Sequence, residues 1–115
     1  MLDDPKLSHP ASAAMEDLSN QVFVSVVCIW EIATKVRIGK LAEPGNLLKD
    51  PHRTLADLGF HDLQLTLAHA CLGGSLRHVH KDPFDRMLAA QALLEGLTLV
   101  SADLFFDDLT VARLW

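Results

Sequence analysis

Four acidic residues stand where the chain's secondary-structure signals change: Glu31 inside an apolar helical pattern, Asp82 and Asp85 at a helix start, and Asp103 after a short apolar run. Carboxylate oxygens suit hard divalent cations such as Mg²⁺, which keep part of their water shell and bind substrate phosphates as well. Ions held this way activate water and stabilise a leaving oxygen, the chemistry of phosphodiester cleavage. That chemistry requires carboxylates distant in sequence to meet at one edge of the fold. Each also has a purely structural explanation. Asp82 precedes Pro83 and suits an N-cap, and Asp85 complements the helix dipole in the first turn. Asp103 can cap the segment after it, and Glu31 stands four residues before Lys35, an ion-pair spacing.

The elements that must position these groups can be read from caps and periodicity. Residues 81–103 form the organising stretch: the Asp82-Pro83 start, a helix carrying Met87, Leu88, Gln91, Ala92 and Leu94, a stop at Gly96, and the buried strand 97–100. Asp103 then lies beyond the carboxyl end of that strand, where open α/β sheets place their ligands. Upstream, residues 1–10 are turn-like, and Ser8 caps a helix over 10–18. Residues 22–24 read as a buried strand, and Ser25 caps a helix over 26–38 with Val26, Ile29, Trp30, Ala33 and Arg37 on one face. A helix begun at Pro51 runs to Leu58, residues 61–65 read as an edge strand, and Thr66 caps a helix ending at Gly73-Gly74. A loop over 75–81, a turn or helix over 104–108 and a last strand over 111–115 complete the order. Alternating helices and short apolar strands imply an α/β fold, a parallel sheet covered by helices on both faces, in a single domain spanning 1–115. Glu31, Asp85 and Asp103 are expected at one edge of that sheet.

The net charge of -5 excludes a broad basic footprint for nucleic acid, so a polyanionic substrate needs local basic residues or metal ions. Lys81, Arg86 and Arg77 lie closest in sequence to the acidic cluster and are the candidates for touching phosphate. His78 and His80 read as solvated loop residues, since a His-x-His metal site needs further ligands. Cys28 and Cys71 sit in apolar helical patterns without ligand spacing and read as buried, reduced thiols. No glycine-rich phosphate loop and no activated Ser or Cys motif occurs. No run is apolar enough to span a membrane and no basic-then-apolar leader follows Met1, so a soluble, cytoplasmic protein is expected.

Several of these pieces together resemble the PIN-domain ribonucleases of the VapC type, the toxins of bacterial toxin-antitoxin pairs. The likeness runs through Val24-Ser25, Trp30-Glu31-Ile32-Ala33, residues 35–41 (KVRIGKL), 80–86 (HKDPFDR), Ala90-Gln91-Ala92 and 97–103 (LTLVSAD). It implies a metal-dependent endoribonuclease whose catalytic and metal-binding residues are Glu31, Asp85 and Asp103, with Mg²⁺ or Mn²⁺ as cofactor. RNA is then the substrate, a cognate antitoxin the neutralising partner, and a homodimer the expected assembly. The resemblance also expects an apolar strand ending in Asp, central in the sheet, ahead of the segment Leu2-Asp3-Asp4-Pro5-Lys6-Leu7-Ser8. The sequence is accordingly expected to be an incomplete copy, from a late start or a truncated gene. The alternative is a catalytically weak or inactive PIN-like domain acting only through protein-protein binding. A sequence-specific DNA reader is third, for want of a basic recognition helix.

Overall fold

The computed structural model describes residues 8–115. Residues 1–7, with the turn-like reading placed on them and with Asp3 and Asp4, lie outside the described residues. The chain runs α1 (His9–Glu16), β1 (Phe23–Ser25), α2 (Val26–Arg37), α3 (Pro51–Asp57), β2 (His61–Leu63), α4 (Leu67–Ser75), α5 (Pro83–Glu95), β3 (Leu99–Val100), a 3₁₀ turn (Leu104–Leu109) and β4 (Arg113–Leu114).

Local chemistry accounts for most boundaries. Ser8 Oγ accepts from the Ala11 amide, Ser25 Oγ from Val27, Asp50 from Arg53, and Thr66 Oγ1 from His69. The α4 start is a full capping box, because His69 Nδ1 accepts the Thr66 amide in return. Gly96 ends α5 at φ 65°, a left-handed conformation that costs glycine little.

The strands are parallel, as the sequence implies, but they form two separate pairs among the described residues. β1 pairs with β2 and β3 pairs with β4. A cleft of about 390 Å³ lies between the pairs, lined by Val24 and Ser25 from one and Leu99, Val100 and Leu114 from the other. The expected single sheet is therefore seen as two flanks.

Helix α5 is the common support. It packs against α4, α2 and β3, and Leu88, Ala89, Ala90, Gln91 and Ala92 are all buried. The buried apolar residues form one cluster that includes Val24, Val27, Ile32, Leu55, Leu88 and Phe106. Full burial of side chains such as Leu88 and Phe106 contributes roughly 1.5–3 kcal/mol each. Two buried polar residues lock the centre: Ser25 Oγ donates to Gln91 Oε1 at 2.5 Å, and Gln91 Nε2 donates to the Gln64 carbonyl at 3.3 Å. The β1-α2 corner, the end of β2 and α5 are thereby tied together.

Two expectations about faces are corrected. Helix α2 buries Val27, Cys28 and Ile32, while Trp30 is 66% exposed. Two nearly equal apolar stripes run along this helix, and direct continuation from buried Val24 and Ser25 selects the first. Cys28 is buried as expected, but Cys71 is exposed because α4 turns His69 and Gly73 toward α5. No helix among the described residues is long and apolar enough to cross a membrane.

Candidate metal centre

The start of α5 and the end of β3 converge on one corner of the molecule. Asp82 caps α5, accepting from the amides of Phe84 at 2.9 Å and Asp85 at 3.4 Å, which fixes the first turn and the direction of Asp85. Beyond β3, Asp103 caps the 3₁₀ turn by accepting from the Phe105 amide at 2.9 Å. One ligand atom from each of Asp85, Asp103 and His80 lies within 4.8 Å of the others. Two of the three carboxylates singled out in the sequence are thus brought together, and a histidine joins them.

Glu31 does not belong to this cluster. Its carboxylate lies 4.0 Å from Lys35 Nζ and its side chain is 16% exposed, so the i,i+4 pairing is present in the structure. Its neighbour Trp30 stands edge-on to Phe84, with ring centroids 5.3 Å apart, which links this part of α2 to the start of α5.

His80 is the residue that sequence reasoning missed. Its Nε2 donates to Asp85 Oδ2 at 2.9 Å, and its ring stacks on Phe105 with centroids 4.0 Å apart. Its amide donates to His78 Nδ1, and His78 Nε2 in turn donates to Asp108 Oδ2 at 3.2 Å. Neither histidine is a free solvated group, since each ring has a carboxylate partner. The available signal was the Asp-Pro corner: a cap at Asp82 reverses the chain, folding a residue five positions before Asp85 back onto it.

Asp85 is perturbed by its surroundings. Burial pushes its carboxyl above the usual range, the His80 hydrogen bond lowers it in part, and the charges of Asp82 and Asp103 raise it further. A partly buried carboxylate facing like charges is an arrangement that a bound cation relieves. The donor set, two carboxylates and one imidazole, fits a divalent ion.

The basic candidates separate. Arg86 directs its guanidinium at main-chain carbonyls: Nε to Gly73, Nη1 to His78 and His80, and Nη2 to Gly74 and Leu76. It holds the loop that carries His80 against α5, and its donors are spent there. Lys81 and Arg77, on the same loop, are exposed.

A family model described as the PIN domain matches residues 1–111. No curated protein and no solved structure matches the chain.

Proposed function

The chain belongs to the PIN-domain family, whose members are in general metal-dependent nucleases acting on RNA, and from that premise we propose that it is an endoribonuclease toxin of the VapC type, neutralised by a cognate antitoxin in the cytoplasm. The observation that carries this reading is the convergence of Asp85, Asp103 and His80 within 4.8 Å. Asp85 and Asp103 would hold Mg²⁺ or Mn²⁺, and Glu31, one helix away, is the third acidic residue assigned to the site. The ion, when bound, supplies activation of water and charge neutralisation at the scissile phosphodiester. The protein's own part is to present the partly buried Asp85 on a rigid helix start beside the exposed Asp103 and to steer the polyanion locally. With Arg86 committed to carbonyls, phosphate contact falls to the exposed Lys81 and Arg77 in a chain of net charge -5.

A domain of this kind would act as a single unit, as a homodimer.

The test is cleavage of a single-stranded RNA with Mg²⁺ or Mn²⁺, against chelated controls and Asp85→Asn. Divalent-dependent cleavage that is lost in Asp85→Asn is expected; cleavage indifferent to both chelation and the substitution would remove this site from the reaction. A second reading, a binding-only domain, is favoured by Glu31 standing outside the cluster and by the exposure of Leu67 at 87%. It predicts no RNA cleavage with any divalent ion, together with a stoichiometric complex with the antitoxin.

A further inference from the structure

We infer that His80 is a direct ligand of the metal ion and biases the site toward Mn²⁺ and later transition ions over Mg²⁺. This rests on the metal-dependent reading above and goes beyond it, because carboxylate ligands alone suit both Mg²⁺ and Mn²⁺, and an imidazole adds preference for the transition ion.

The residue is held at three points, one on the ring and two on the main chain. Phe105, 8% exposed, stacks on one face at 4.0 Å with an interplanar angle of 19°. The main-chain amide of His80 is fixed by His78 Nδ1 at 3.0 Å, and its carbonyl accepts from Arg86 Nη1 at 3.0 Å. Nε2 therefore points at Asp85 through constraint of the whole residue, not through one hydrogen bond. The stacking partner is itself tied to the site, because the Phe105 amide is the group that Asp103 caps. The element that presents the second carboxylate thus also orients the imidazole.

The spacing fits coordination. Two ligand atoms about 2.1 Å from one ion and at right angles lie about 3.0 Å apart. Nε2 and Asp85 Oδ2 are 2.9 Å apart, the separation of neighbouring ligands, and a ligand atom of Asp103 lies within 4.8 Å of the other two, to be drawn in when an ion binds. When an ion binds, the Nε2 lone pair replaces the Nε2–H hydrogen bond to Asp85, and the neutral ring carries its proton on Nδ1. Imidazole nitrogen is a borderline donor that suits first-row transition ions, whereas Mg²⁺ favours an all-oxygen shell with water.

The experiment is Mn²⁺ and Mg²⁺ binding by calorimetry to the full chain, to His80→Gln and to Asp85→Asn, with electron spin echo spectroscopy of bound Mn²⁺. Wild-type protein is expected to show nitrogen modulation from a coordinated imidazole, lost in His80→Gln. Mn²⁺ affinity should fall roughly tenfold in that variant, with a much smaller change for Mg²⁺. Mn²⁺ binding that depends on Asp85 but shows no nitrogen modulation in the wild type overturns the inference and leaves the metal-dependent reading standing. An unchanged Mn²⁺/Mg²⁺ preference in His80→Gln overturns it as well. Absence of divalent binding altogether would overturn both readings. The spectrum of the wild-type protein needs no variant to fold.

Discussion

Replacing Arg86 by alanine should cost this protein a large part of its stability while testing whether the residue serves the fold or the substrate. The guanidinium reaches five carbonyls, four of them at 2.6–3.0 Å and the fifth, Gly74, at 3.4 Å. Those carbonyls belong to the last turn of α4 and to the loop behind it, where intrahelical donors have run out. Hydrogen bonds from a charged donor contribute about 1.5–3 kcal/mol each, but in the variant water can reach the outer carbonyls, so the sum is much less than five times that figure. A loss of roughly 3–4 kcal/mol is expected, against a typical total of about 5–15 kcal/mol. Lysine, a compact ammonium without the fork, should recover about half of it. Urea unfolding at constant slope measures both variants. A stability within about 0.5 kcal/mol of wild type in Arg86→Ala, accompanied by weakened RNA binding, would refute the role of Arg86 in holding the loop and return it to phosphate contact.

Three further outcomes follow from the packing. Gly73→Val should destabilise by about 1–3 kcal/mol through overpacking, because a Cβ there meets Met87 Sδ at 3.0 Å and the Arg86 carbonyl at 3.3 Å. Gly74→Ala, with nothing within 4 Å, is the control, and should be neutral or stabilising by up to about 1 kcal/mol in the same unfolding assay. Gln91→Leu strands the buried Ser25 hydroxyl and the Gln64 carbonyl, and chemical denaturation should show a loss of about 1–3 kcal/mol. Asp107 is held below its usual carboxyl range by its hydrogen bonds to Arg113. A folded-state value below the unfolded one means stabilisation that is present above roughly pH 4 and lost as pH falls through the folded value. Melting temperatures of wild type and Asp107→Asn should therefore differ near neutrality and converge in acid.

Membership of the PIN-domain family changes what the local chemistry means more than it changes the local chemistry. Asp82 remains a cap, as its two amide hydrogen bonds show, and Asp103 is both a cap and a member of the cluster. A carboxylate has two oxygens, so capping with one leaves the other free to serve a ligand. The structural and functional explanations set side by side for Asp103 are thus compatible. For Glu31 the structure shows the pairing with Lys35, and its assignment to the site stays with the proposed function.

The sequence by itself determined the elements and the starts of the helices, while the strands read over 61–65, 97–100 and 111–115 are shorter in the structure, His61–Leu63, Leu99–Val100 and Arg113–Leu114. Ser8, Ser25, Thr66, Asp82 and Gly96 act within three or four residues of themselves, so caps and stops are legible without knowing what packs on what. Parallel pairing was legible too, because apolar strands separated by helices leave little alternative. Only the tertiary structure decided the rest. Which stripe of α2 faces inward depended on the buried end of β1, and Cys71 was left exposed by the side of α4 that meets α5. Arg86 found its partners up to thirteen residues away, and His80 was recruited by a stack on Phe105 of the 3₁₀ turn. These outcomes turn on distances between elements, and local propensity holds no record of distance. The acidic residues could be named from the chain, but the imidazole among them appears only when the corner closes.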